Sequence, residues 1–118
     1  MTHHSAAHRP QAMNDCIDNC TSCHAICLET LNHCLSMGGE HAANAHIALL
    51  SACADICATS ADTMLRGAAV HPVICGACAE VCSQCAASCE RFGDDAEMKR
   101  CADICRRCAA TCAAMAAM

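Results

Sequence analysis

Sixteen cysteines recur along this 118-residue chain, most of them at steps of three and four residues. That spacing gathers side chains on one face of an α-helix, whereas a strand would need a period of two. Cys16, Cys20, Cys23 and Cys27 form one such run; Cys78, Cys82, Cys85 and Cys89 form a second, and Cys101, Cys105, Cys108 and Cys112 a third. Cys34 and Cys75 extend two of these runs in phase. A fourth segment keeps the frame with different residues, Cys53, Cys57, Ser60 and Met64. The chain therefore reads as a quasi-fourfold helical repeat with a thiol stripe on each unit.

Breakers separate the units. Gly38-Gly39, Gly67 and Gly93 each suit the left-handed position that follows a helix C-terminus. His71-Pro72 opens a helix with proline near its first position, and Asp94 with Glu97 resembles a capping box. The spacing predicts helices near 11–37, 41–66, 71–92 and 94–117, after a flexible tail over 1–10 that carries His3, His4 and His8. Short connections make successive helices antiparallel, so the expected fold is all-α, an up-down four-helix bundle with a cysteine-lined core in a single domain.

Leu, Ile, Val and Phe together number only sixteen, too few for an ordinary core, but 26 alanines favour helix and buried cysteine behaves as a small hydrophobe. Mirroring the register across each turn places the stripes in layers: Cys23, Cys57, Cys82 and Cys105 in one; Cys27, Cys53, Cys85 and Cys101 in the next; Cys20, Ser60, Cys78 and Cys108 in a third; Cys16, Met64, Cys75 and Cys112 in a fourth. Ile17, Ile26, Ile56, Val81 and Ile104 flank the thiols and are expected to seal the helix seams.

The formal net charge of −5 excludes a basic surface for nucleic acid or anionic lipid. No uninterrupted run of eighteen apolar residues is present, so no membrane partner is expected, and Met1-Thr2-His3-His4-Ser5 lacks the pattern of a secretory leader. A cytoplasmic location follows as the expectation. In a reducing compartment so many cysteines point to metal ligation or redox chemistry rather than to disulfides.

Inert packing does not account for the stripes, because Leu and Ile fill a bundle better and do not oxidise. Side chains at i and i+4 run parallel along a face and match the geometry of a disulfide poorly. Structural zinc and iron–sulfur sites usually draw on knuckle or loop spacings, unlike thiols spread along whole helices. Cu(I) is soft, prefers thiolate and thioether, and accepts low coordination. Sixteen thiolates holding four Zn²⁺ would retain a charge of −8, whereas one Cu⁺ per thiolate leaves none. The expected ligands are therefore Cys16, Cys20, Cys23, Cys27, Cys34, Cys53, Cys57, Cys75, Cys78, Cys82, Cys85, Cys89, Cys101, Cys105, Cys108 and Cys112. Zinc or general metal buffering and a thiol redox role are the competing readings.

These repeated C-x-x-x-C stripes, with an Ala-Asp-Ile-Cys segment at 54–57 and again at 102–105, resemble the bacterial copper storage proteins, in particular their cytosolic branch. The resemblance spans about residues 13 to 115. It implies many Cu(I) ions per monomer held mainly by cysteine pairs in a preformed bundle, commonly a homotetramer; copper ions and a copper chaperone are the expected partners. At the end made by the Gly38-Gly39 and Gly93 turns, the mirrored register gathers Met37, His46 and Met98 with Cys34 and Cys89, and His41 nearby. Thioether and imidazole bind Cu(I) more weakly than thiolate, which suits an entrance. Met13, Met64 and Met115 are expected to plug the other end, and His24 and His33 to face water. No nucleophile–base–orienter set or cofactor fingerprint occurs in the sequence, so an enzyme is not expected.

Overall fold

The computed structural model describes residues 8–118, so His3 and His4 of the expected tail lie outside the described residues. Four helices follow in order: α1 Gln11–Met37, α2 Asn44–Leu65, α3 His71–Glu90 and α4 Ala96–Ala116, with a single 3-10 turn at Gly39–Ala42 between α1 and α2. Each helix packs on two neighbours, α1 on α2 and α4, α3 on the same two, which closes a ring with one shared interior. The bundle measures 46 × 25 × 19 Å, the long axis being the length of about one 27-residue helix plus its turns.

The ends of the helices depart from expectation in physically legible ways. Gly38, Gly39 and Gly67 do take positive φ (70°, 56° and 67°), and the Gly38 N–H returns to the Cys34 carbonyl to close α1. Gly93 does not: α3 ends at Glu90 through Arg91 in ordinary right-handed geometry, and the chain turns instead through the Phe92 carbonyl, which accepts from the Asp95 N–H at 2.9 Å. That turn moves the N-cap of α4 one residue beyond Asp94. Asp95 is extended, and its Oδ1 accepts from the backbone N–H groups of Glu97 (3.0 Å) and Met98 (3.3 Å). Similarly α2 starts at Asn44 rather than near 41, because the glycine pair leads into the 3-10 turn first.

The inner stripe of every helix is buried along its length. In α1 it runs Cys16, Cys20, Cys23, Cys27, Thr30, Cys34; in α2, His46, Leu50, Cys53, Cys57, Ser60, Met64; in α3, Cys75, Cys78, Cys82, Cys85, Cys89; in α4, Met98, Cys101, Cys105, Cys108, Cys112, Met115. Ile17 and Ile104 are buried beside the stripes, and Ile26, Ile56 and Val81 pack half-buried against them, sealing the seams. Outside, Arg106 clamps Glu90 bidentately across α3 and α4, and Arg100 meets Glu29 across α4 and α1 at 2.7 Å. Such exposed pairs are screened by solvent and add little to stability. By length and composition α2 and α3 could each cross a membrane, with a mean hydropathy of 1.2. In α2 and α3 that hydropathy owes much to Cys and Ala, and their stripes are turned into the bundle.

Candidate metal site

All sixteen cysteines are buried and free, at most 1% exposed. The helical period turns them inward, and the ring of four helices brings the stripes within reach of each other. Cys23 Sγ lies 3.7 Å from Cys105, 3.9 Å from Cys27 and 4.0 Å from Cys53. Cys57 Sγ is 3.6 Å from Cys82, 3.7 Å from Cys78 and 3.9 Å from Cys108. Further along, Cys112 Sγ lies 3.5 Å from Cys20 and 3.6 Å from Cys16. These separations far exceed a disulfide bond of about 2.05 Å. They match the edge of a trigonal sulfur set, about 4.0 Å for metal–sulfur bonds of about 2.3 Å.

Groups of four sulfurs lie mutually within 4.8 Å: Cys20, Cys78, Cys108, Cys112; Cys23, Cys53, Cys57, Cys82; Cys23, Cys27, Cys53, Cys105; Cys27, Cys85, Cys101, Cys105; and Cys57, Cys78, Cys82, Cys108. The groups overlap, and each draws on two of the layers expected from the mirrored register. The interior is a continuous column of sulfur rather than a stack of separate squares. Ser60 shows the same offset: its Oγ lies 3.4 Å from Cys75 and 4.0 Å from Cys112, one level along from its expected partners. Counting residues across a turn ignores the axial stagger by which the side chains of neighbouring helices interdigitate.

The electrostatics of the column follow from shared protons. A thiolate is favoured where a neighbouring thiol can share its proton: hydrogen bonding with Cys105 lowers the pKa of Cys23, of Cys53 and of Cys101, that with Cys108 lowers Cys78, and that with Cys112 lowers Cys16 to about 3, although each thiol proton serves one acceptor at a time. The donors pay the reverse: Cys105 and Cys108 are held protonated by hydrogen bonds to Cys101 and Cys112 respectively. Removing one proton therefore makes the next harder to remove. Away from this network burial dominates, and it pushes Cys34 up to about 11, with the Asp95 carboxylate adding to the effect.

At the α1–α2 turn end, Cys34 Sγ donates to Met98 Sδ at 3.5 Å and lies 3.5 Å from His46 Nε2. His46 is 2% exposed, its Nδ1 is 2.7 Å from Ser88 Oγ, and burial lowers its pKa. Of the three residues expected there, His46 and Met98 join Cys34, but Met37 does not: it is 56% exposed. The α1 stripe overruns its partners, since the α2 and α4 stripes begin at His46 and Met98, already level with Cys34. At the opposite end Met64 and Met115 are buried and Met13 is half-buried over the column.

Two stripe residues were not expected in the core. Thr30 and Leu50 are completely buried, and Thr30 Oγ1 has no hydrogen-bond partner. Continuing the three-and-four frame from Cys27 to Cys34, and from His46 to Cys53, would have found both. His33 and His24 also differ from expectation. His33 Nε2 is 2.9 Å from Asp95 Oδ2, and His24 Nδ1 is 2.7 Å from the Ala54 carbonyl, so both are tied to neighbouring elements.

The profile of the copper storage protein family matches residues 9–117. The chain belongs to that family, and it functions in copper storage. A solved protein of Nitrosospira multiformis is 44% identical with a TM-score of 0.86, over 91% of this chain and 96% of its own. A Cu(I)-bound copper storage protein of Bacillus subtilis is 31% identical with a TM-score of 0.83, over 89% of this chain and 98% of its own. A cytosolic copper storage protein of Streptomyces lividans, solved with five coppers, is 30% identical with a TM-score of 0.84, over 92% and 94%. Curated protein sequences give no match.

Proposed function

We propose that this copper storage protein holds Cu(I) on all sixteen of its buried cysteines, on the order of one ion per thiol, in a bundle that is folded before metal arrives. The observation that carries this reading is the sharing of ligands. Cys23, Cys27, Cys53, Cys57, Cys78, Cys82, Cys105 and Cys108 each belong to two of the four-sulfur groups. Independent tetrahedral ions would each need four ligands of their own, so overlapping groups suit an ion of low coordination whose thiolates bridge to the next.

Ions enter at the Cys34, His46 and Met98 end. In the tautomer that carries its proton on Nδ1 toward Ser88, His46 presents the Nε2 lone pair to Cys34, and burial favours that neutral ring. Imidazole and thioether accept Cu(I) but bind it less strongly than the thiolates deeper in, so the gradient runs inward. Met37, on the exposed rim, is the outermost thioether. The protein acts by binding alone, without catalysing a reaction, and a cytoplasmic location is supported by its relative in Streptomyces lividans, which is a cytosolic copper storage protein. A copper chaperone delivers the ion. Leu28, Leu35, Leu65, Val70 and Val73 stand exposed on the outside, which suits assembly into a homotetramer.

Anaerobic titration of the reduced protein with Cu(I), and separately with Zn²⁺, against strong competing ligands tests the reading. Cu(I) should saturate near one ion per cysteine and withstand competition far better than zinc. A plateau at about four ions, with zinc held equally well, would instead establish closed tetrahedral sites and a zinc buffer.

A further inference from the structure

Outside the sulfur column, the described residues bring together one compact set of nitrogen and oxygen donors. His33 near the end of α1, His41 in the 3-10 turn and Asp95 at the N-cap of α4 come from three separate elements. Both Nε2 atoms lie 2.9 Å from the same carboxylate oxygen, Asp95 Oδ2. We propose that His33, His41 and Asp95 form a divalent-cation site of the Zn²⁺ class, chemically distinct from the copper column. Two imidazole nitrogens and one carboxylate oxygen make up the protein's share of a site that keeps a position open to solvent.

The donor spacing is close to what an ion needs. With metal–nitrogen and metal–oxygen bonds of about 2.0–2.2 Å, a tetrahedral ion needs donors about 3.4 Å apart, so the two imidazoles have to withdraw from Asp95 Oδ2 by about 0.5 Å to admit it. The support is already in place as well. Asp95 Oδ1 is engaged by the Glu97 and Met98 amides, which fixes the carboxylate and leaves Oδ2 for the ion. The His41 ring is held by stacking on Phe92 at 4.2 Å and edge-to-face contact with His33 at 5.7 Å. His33, His41 and Asp95 are 26%, 17% and 18% exposed, sheltered yet reachable. An open groove of about 300 Å³ lined by His41, Asp94 and Asp95 supplies room for a water ligand and a second carboxylate in its wall.

Each Nε2 can take a metal in the tautomer that carries the ring proton on Nδ1, which exchanges the contact with Asp95 for a coordinate bond. Softness then sorts the metals. Nitrogen and carboxylate donors suit a borderline divalent ion, whereas Cu(I) goes to the thiols. Arg91, which lines the same groove and lies over the Phe92 ring, is the one cation close enough in that groove to oppose the incoming charge.

Cobalt(II) is the probe, added anaerobically to the full chain already saturated with Cu(I). The expected result is one equivalent of bound Co(II) with visible d–d absorption, free of intense sulfur-to-cobalt charge transfer, and displaced by Zn²⁺. Affinity should fall roughly tenfold or more in His33→Gln and in His41→Gln, and stay unchanged in His24→Gln. Far-UV circular dichroism and Cu(I) capacity equal to those of the unaltered chain show that each variant is folded. A d–d signal that persists undiminished in both glutamine variants overturns the proposal, as does the absence of a saturable signal. Bands dominated by sulfur charge transfer overturn it too, since the ion would then prefer the thiols.

Discussion

The middle of the bundle and its α1–α2 turn end are built on the same four stripes but offer a metal different things. In the middle every inward position near Cys23, Cys53, Cys82 and Cys105 is a thiol, and each sulfur touches several others at 3.6–4.0 Å. At the end a single thiol, Cys34, faces one imidazole and one thioether. The middle can share protons and metal ions among many equivalent ligands, which favours retention. The end has one strong ligand and two weaker ones, which favours transfer. A storage protein needs both, and the frame of three and four supplies both by changing residue type rather than geometry.

Removing the middle should have the largest effect. Changing Cys23, Cys27, Cys53 and Cys105 together to serine deletes one of the four-sulfur groups and damages two others that share its members, that of Cys23, Cys53, Cys57 and Cys82 and that of Cys27, Cys85, Cys101 and Cys105. Cu(I) capacity should drop by at least about four ions, read by anaerobic titration, with helicity retained because serine is nearly isosteric. Loss of only one ion would mean that these thiols do not act as a shared set.

Acidification should weaken both regions, and the end shows the sign most plainly. With its pKa raised to about 11, Cys34 is protonated throughout the ordinary range, so an incoming Cu(I) must displace that proton. Apparent affinity at this site should fall about tenfold per unit as pH drops below about 11. A Cu(I) competition series across pH that shows no slope would contradict the protonated starting state.

Changes confined to the end should alter rates and spare capacity. His46→Leu and Met98→Leu together should slow both loading and removal by an external chelator several-fold, measured by stopped-flow absorbance, because the weak intermediate ligands are gone. Met37→Leu alone separates the rim from the buried pair: its exposed side chain predicts a smaller effect. Unchanged rates in the double variant, with slowed rates after replacing Met13, Met64 and Met115, would move the entrance to the opposite end.

The smallest effect is on stability. Asp95→Ala removes the α4 cap and the partner of two histidines, and should cost roughly 1–2 kcal/mol in denaturant unfolding of the metal-free protein. Hydrogen bonding from His33 and then His41 lowers the Asp95 pKa from 3.8 to about 2. A depressed carboxylate stabilises the fold above its unfolded value, so the contribution should be present above about 3.8 and disappear as pH falls through about 2. Equal acid sensitivity in the alanine variant would assign that loss to other groups.

The helices and their inner faces were legible in the sequence because cysteine, unlike leucine, rarely recurs by chance, so its period of three and four marks the buried stripe unambiguously. Position along the bundle axis was less legible. Mirroring across turns put Ser60 beside Cys20, but side-chain interdigitation shifts it to Cys75 and Cys112. It likewise placed Met37 beside His46, where α1 in fact runs past its partners. Thr30 and Leu50 were hidden because they interrupt the thiol pattern without breaking its phase. Asp94 and Asp95 are chemically alike, and only the backbone turn through Phe92 decides which becomes the cap. The His33, His41 and Asp95 cluster joins residues distant in sequence and carries no local motif.

The measurement that most directly tests the shared-ligand column is copper K-edge X-ray absorption on the protein loaded to saturation with Cu(I). Bridging thiolates predict two to three sulfurs about each copper and a clear contribution from neighbouring copper atoms. Four sulfurs about each ion with no metal neighbour would show separate closed sites and contradict the account.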